Sequence, residues 1–170
     1  MEIYKIGPET ARLRHRSLNA DDAERFYALN SDPEVMRHTC EEPPSSVAAT
    51  REAIANYPDF DTYGFGRWGC VLKGQEDSII GFCGLKFLPE LDEVDVGYRF
   101  FPQFWGQGIA TEACAASVQF GFEVLGLGRI IGLVRPENIA SIRVLEKVGM
   151  LNEGEFDYDG IRAIRFATRR

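Results

Sequence analysis

One stretch constrains this chain more than any other: Phe100-Phe101-Pro102-Gln103-Phe104-Trp105-Gly106-Gln107-Gly108-Ile109-Ala110-Thr111, a strand-like segment that runs through a glycine loop into a helical one. Small residues at 106, 108 and 110 let the backbone approach an anion closely. The free N–H groups of the first helical turn, with the helix dipole, stabilise its charge, so no lysine is required. Two kinds of phosphate loop do not fit. The pattern G-x-x-x-x-G-K-[ST] is absent. The dinucleotide pattern G-x-G-x-x-G would place Thr111 where glycine or alanine belongs, and too little chain follows it for the second half of a Rossmann sheet. An NADP-binding protein, with Arg135 meeting the 2′-phosphate, is the remote alternative.

The flanking pattern says what this strand and helix belong to. Trp68 to Leu72, Ile79 to Phe87 and Val94 to Phe101 are rich in aromatic and β-branched residues, and predict three consecutive, hairpin-connected strands. Beyond Gly108, residues Ala110, Ala113, Cys114, Ser117, Val118, Gly121, Phe122 and Leu125 fall on one broad face of a helix of about four turns. Arg129 to Val134 is nearly all apolar, as buried parallel strands are. Asn138 to Val148 reads as a helix capped by Asn138 and closed by Gly149. Leu151 to Phe156 and Arg162 to Thr168 then flank the turn Asp157-Tyr158-Asp159-Gly160. Upstream, Ala11 to Arg14 predicts a short first strand, with helices from near Asp21 and from about Ser46 to Asn56. The 170 residues are expected to form one domain, 1–170.

Charge narrows the partners. Lysine and arginine number 19 against 26 aspartates and glutamates, a formal charge of −7, which disfavours nucleic acid and anionic membranes. Four scattered cysteines and two histidines give no metal-ligand spacing and no disulfide framework. The N-terminus Met1-Glu2-Ile3-Tyr4-Lys5 lacks the apolar core of a signal peptide, so a cytoplasmic protein is expected. Cys83 and Cys114 read as buried small hydrophobes, and Phe100, Phe101, Phe104 and Trp105 as packing.

Three blocks carry a family resemblance: Asp95-Val96-Gly97-Tyr98, then Trp105-Gly106-Gln107-Gly108-Ile109-Ala110-Thr111-Glu112-Ala113, then Pro136-Glu137-Asn138-Ile139-Ala140-Ser141-Ile142-Arg143-Val144-Leu145-Glu146-Lys147-Val148-Gly149-Met150. In this order and spacing the chain resembles the GNAT N-acetyltransferases, in the ribosomal-protein N-terminal (RimJ/RimL-type) branch, from about Ala11 to Ala167. The resemblance implies an α/β fold: a mixed, mostly antiparallel sheet flanked by about four helices and splayed between its fourth and fifth strands, with acetyl-coenzyme A entering the gap. It also implies that backbone groups near Tyr98 and Phe100 meet the pantetheine arm, and that Gln107, Gly108, Ile109, Ala110 and Thr111 cradle the pyrophosphate. Trp105 stands where the wider family has arginine or glutamine, so backbone donors are expected to suffice. Asn138 would contact the pantetheine arm. Ser141 would lie near the sulfur, and it takes the place of the acid that many relatives supply as a tyrosine further along that helix.

The implied reaction is direct attack of an amine on the thioester, which needs a neutral amine, a stabilised oxyanion and a proton for the thiolate. Glu93 and Asp95, two apart on one face of a strand, are the candidate bases, with Glu155 and Asp157 as rivals. An α-amine is about a tenth neutral at pH 7 whereas a lysine is less than about 1% neutral, a gap of about 3.5 kcal/mol. A peptide or protein N-terminus therefore asks least of a base and ranks first among acceptors. Second stands a small cationic amine (a polyamine, aminoglycoside or amino acid), for which Glu41, Glu42, Asp59 and Asp61 would supply negative potential. A coenzyme-A-binding sensor without turnover is the alternative of a different class, and a homodimer paired through an edge strand is compatible with the pattern.

Overall fold

The computed structural model describes residues 5–170; Met1 to Tyr4, on which the reading of the N-terminus rests, lie outside the described residues. A hairpin of β1 (Ile6–Glu9) and β2 (Leu13–Arg16) leads into helices α1 (Ala23–Ser31), α2 (Pro33–Met36), α3 (Val47–Ala55) and α4 (Asp59–Tyr63). The meander β3 (Arg67–Leu72), β4 (Gln75–Leu88) and β5 (Glu93–Phe100) follows. Then come α5 (Ile109–Glu123), β6 (Arg129–Val134), α6 (Ile139–Lys147), β7 (Leu151–Tyr158) and β8 (Ile161–Arg169). The strands form one eight-stranded sheet in the order β1-β2-β3-β4-β5-β6-β8-β7. Every neighbouring pair is antiparallel except β5 and β6.

The sequence predicts the meander, α1, α3, α5, α6 and the last hairpin close to where they stand. The first strand differs. Ala11 and Arg12 form the bend of a hairpin rather than a strand: Gly7 and Pro8 interrupt the alternation of β1, and Leu13 and His15 turn inward on β2. The sheet thus gains a strand, and the splay predicted between the fourth and fifth strands falls between β5 and β6. Two single-turn helices also stand where loops were expected. In α2 the Asp32 side chain accepts from Glu34 N–H ahead of Pro33, a cap and a first-position proline.

Side chains alternate across the sheet, and two helical layers cover its two faces. On one, Cys83, Leu85, Val96 and Phe100 pack with Ala113, Cys114 and Val118 of α5 and Leu145 of α6. On the other, Phe82 and Phe101 pack with Leu29 and Phe26 of α1.

What positions the site is the junction of β5 with β6. They meet at a single register pair, Asp95 with Ile131. The Phe101 N–H donates to Ile80 O on β4, so the backbone groups of alternate residues, Phe100 and Tyr98, point the other way, into the gap.

Candidate active site

The glycine loop is held open as an anion cradle. Gly106 and Gly108 have φ of +71° and +76°, the left-handed region that glycine enters without steric cost. Gly108 is the N-cap of α5 and provides no side-chain cap, so the first-turn N–H groups of Ile109, Ala110 and Thr111 have no partner in the helix. Gln107 stitches the loop by donating from Nε2 to Gln103 O at 2.8 Å.

A cation absent from the loop sequence reaches it from the β1–β2 bend. Arg12 donates to Gln107 O at 2.9 Å and pairs with Glu112 at 2.7 Å, while Thr10 Oγ1 and the Arg12 N–H also donate to Glu112. Burial opposes ionisation of Glu112, but the bonds from Thr10 and Arg12 outweigh it and hold the carboxyl below its ordinary value. Its charge at the head of α5 is thereby matched beside an anion site. No basic side chain stands at position 105 itself; Arg12, which braces the loop, lies about a hundred residues upstream, where no local pattern reveals it.

Inside the gap, Tyr98 of β5 meets Ser141 of α6. Their hydroxyl oxygens are 2.7 Å apart, and the Tyr98 hydroxyl also donates to Ser141 O at 3.3 Å. Burial, with the neighbouring Cys114, pushes the Tyr98 hydroxyl well above its ordinary value, so it stays protonated and acts as a donor. Asn138 caps α6, its Oδ1 accepting from Ser141 N–H at 3.2 Å. The sequence pattern points only to the Tyr98 backbone; the side-chain pairing across 43 residues depends on the topology. At Phe100 the carbonyl is already taken, accepting from the Trp105 indole at 2.8 Å. Of the two backbone positions expected to receive the pantetheine arm, neither forms a register pair with β6 among the described residues, which leaves both groups of Tyr98 and the N–H of Phe100 facing the gap.

The candidate bases are not free carboxylates. Asp95 pairs with Arg67 at 2.7 Å and accepts from Leu133 N–H at 3.3 Å. Burial pushes its carboxyl up and Arg67 pulls it back. Gly97 makes this pair possible, because a Cβ there would fall 2.5 Å from the Arg67 guanidinium nitrogens. Glu93 pairs with Arg129 at 2.9 Å, which also grips Glu153 at 2.7 Å. The rivals are no freer: Glu155 pairs with Arg162 and Asp157 accepts from Gly160 N–H. Of the acids expected to attract a cationic acceptor, two are paired with cations and a third accepts from a neutral hydroxyl. Asp59 accepts from the Tyr57 hydroxyl, Asp61 pairs with Lys5 and Glu41 with Arg99.

Gly106, Gly108 and Ile109 of the loop, with Asp95, Tyr98 and Ser141, line one cleft of about 1660 Å³ that runs from the glycine loop through the gap to the α2–α3 loop; Glu93, Glu155 and Asp157 lie outside its lining. Its geometry joins a helix N-terminus open to an anion, an unpaired strand edge and a pair of hydroxyls. Comparison with known proteins agrees: the pattern of the Acetyltransferase (GNAT) domain matches residues 12–151. The chain belongs to the GNAT family of N-acetyltransferases. It is similar to the uncharacterized N-acetyltransferase p20 of Bacillus licheniformis, 32% identical over 146 residues, which cover 85% of this chain and 82% of that one. It is also similar to the spermidine N(1)-acetyltransferase of Escherichia coli K12, 26% identical over 89% of this chain and 80% of that one. Among solved structures, a GNAT-family acetyltransferase from Bacillus anthracis superposes with a TM-score of 0.79 at 28% identity, over 95% of this chain and 97% of that one.

As a GNAT enzyme the protein uses acetyl-coenzyme A as its acetyl donor, and the cleft suits that molecule. A polyanionic head fits the uncapped N-terminus of α5, and an amide-bearing arm fits the strand edge left open where β6 turns away.

Proposed function

We propose that this N-acetyltransferase acetylates a peptide or protein N-terminal α-amine by direct attack in a ternary complex. One observation supports this above the others: the carboxylate on the sheet wall of the cleft, Asp95, is held in an ion pair with Arg67, while Glu93, outside the cleft lining, is held by Arg129. A site without a free carboxylate there suits an amine that is already partly neutral at pH 7, and an α-amine is about 2.5 pKa units closer to neutrality than a lysine. The pairing of Asp61 with Lys5 argues in the same direction, against selection for a polycation.

When bound, acetyl-coenzyme A supplies the activated thioester. The N–H groups of Ile109, Ala110 and Thr111, with Gln107 and Gly108 shaping the turn and Arg12 beside it, hold the pyrophosphate. The Tyr98 backbone, the Phe100 N–H and the Asn138 side-chain amide hold the pantetheine arm. Ser141 donates its hydroxyl hydrogen toward the sulfur when Tyr98 turns its single hydrogen from Ser141 O to Ser141 Oγ, 2.7 Å away. Two hydroxyls in series suit hydrogen-bond stabilisation of the departing thiolate, since a tyrosine whose pKa burial has raised gives up its proton reluctantly. Asp95 and Arg67 act as positioning residues that fix β5 at the vertex of the gap. Burial pushes the thiols beside Tyr98 up, Cys83 to about 11; thiols held neutral are poor nucleophiles, which favours direct transfer over a cysteine-bound acetyl group.

The test has two stages. Acetyl-coenzyme A at about 100 times its Kd contributes about 2.7 kcal/mol, which raises the unfolding midpoint by about 5–11 °C for a chain of this size. Thiol release is then followed with peptides bearing a free N-terminus, the same peptides Nα-blocked but carrying lysine, and spermidine. Turnover confined to the free N-terminus is the expected result. Faster turnover of spermidine or of the blocked peptides overturns the acceptor assignment.

A further inference from the structure

Two adjacent residues of the α2–α3 loop touch opposite walls of the cleft. Cys40 Sγ accepts from Arg135 Nη1 at 3.6 Å, at the end of β6. Glu41 lies 2.8 Å from Arg99 Nη2 on β5. The two partners of this second contact are held very differently. Arg99 stands in register with Phe82 of β4, its guanidinium 5.4 Å from the ring centroid, and Nη1 donates to Asn30 Oδ1 of α1 at 3.0 Å. Three elements thus fix the cation, and its side chain is only 15% exposed. Glu41 is 68% exposed and belongs to a loop.

A guanidinium so far removed from water needs an anion, and a planar fork selects a carboxylate. The chain supplies one from its least anchored neighbour. Replacing that carboxylate with one from a ligand preserves the pairing and returns Glu41 to solvent. Arg99 shares its face of β5 with Asp95 and Gly97 and stands about 7 Å along the strand from Gly97, beside the gap where Tyr98 and Ser141 meet.

We propose that Arg99 recognises a carboxylate on the acceptor and that Glu41 occupies this place in the free enzyme. The inference rests on the α-amine acceptor reading and names its class: amines with a carboxylate about one side chain away. A peptide N-terminus with aspartate or glutamate in its first two residues has that spacing, as do the free acidic amino acids.

The experiment compares steady-state kinetics on peptides that differ only at the second residue (aspartate, asparagine, glutamate, glutamine or lysine), and on free aspartate and glutamate, at saturating acetyl-coenzyme A. In the wild type, KM for the acidic peptides is expected at least about tenfold below that of their amide counterparts, with kcat little changed. In Arg99→Gln the acid-to-amide ratio collapses to about one. In Glu41→Gln, an exposed loop variant that does not challenge folding, KM for the acidic peptides falls. Preference for the free amino acids over the peptides would assign the carboxylate to a small molecule, with the role of Arg99 unchanged. Equal KM for acid and amide in the wild type, or an acid-to-amide ratio that survives Arg99→Gln, overturns the proposal. So does an absence of turnover with every carboxylate-bearing amine while acetyl-coenzyme A still raises the unfolding midpoint. Loss of that midpoint rise in the wild type strikes the acetyltransferase reading instead.

Discussion

Ser141 and Tyr98 act as one unit because each hydroxyl orients the other. A hydrogen bond to a developing charge contributes about 1.5–3 kcal/mol, so Ser141→Ala is expected to lower kcat by about 10- to 150-fold. Tyr98→Phe should cost a comparable factor, and the double variant little more than either alone, which a double-mutant cycle in kcat checks. Gly97→Ala tests the buried pair below them. The added methyl displaces the Arg67 guanidinium from Asp95, with an expected loss of about 1–3 kcal/mol in urea unfolding. His15 supplies a pH signature. It is 2% exposed, with Nδ1 2.7 Å from Pro8 O and Nε2 without a partner among the described residues. Burial outweighs the Pro8 carbonyl and lowers its pKa from 6.5 to about 4. Between those values the unfolded chain binds the extra proton, so stability is full above about pH 6.5 and is lost as pH falls toward 4, by about 3 kcal/mol. Unfolding of the wild type and His15→Phe at pH 7 and pH 4.5 should show a steeper acid loss in the wild type. Only part of this was legible residue by residue. Ser141 and Asn138 could be singled out from the motif, whereas the partners that give them meaning, Tyr98 for one and the open strand edge for the other, are brought in by strand pairing. Asp95 and Glu93 looked like bases for the same reason: a sequence displays carboxylates and not the arginines that close on them.

At the scale of elements, what could be read was whatever follows from local pattern. The meander, the long helix and the last hairpin carry their periodicity and turn residues in their own segments, and each stands within a few residues of its expected bounds. β1 was missed because Gly7 and Pro8 break the alternation within four residues, and with it the function of the bend that follows. Arg12 and Thr10 join that bend to the first turn of α5. Removing the cation leaves Glu112 unmatched beside the bound pyrophosphate. A charge at a helix terminus is worth about 0.3–1 kcal/mol when partly exposed, so Arg12→Ala should weaken acetyl-coenzyme A binding by about 2- to 5-fold in calorimetry. The peptide KM should change far less. Arg12→Lys restores charge without the fork and should recover only part of the loss.

Across the whole molecule, one register pair joins β5 to β6, and strands β6, β8 and β7 form a ladder of their own on its far side. The backbone continuity that makes most sheets a single cooperative unit is therefore interrupted at the centre of this one. Opening of the β6–β8 ladder need not disrupt the β1–β5 ladder, and amide hydrogen exchange should resolve two tiers of protection, the lower one in residues 129–134 and 161–169. A donor whose amides pair with the free edge of β5 would serve as the missing rung between the two ladders. Saturating acetyl-coenzyme A is then expected to slow exchange across the whole β6–β8 ladder, well beyond the residues it touches. Protection confined to the contact residues would show that the two ladders are already coupled through α5 and α6. The same discontinuity that admits the donor would make the donor a structural member of the fold for as long as it stays bound.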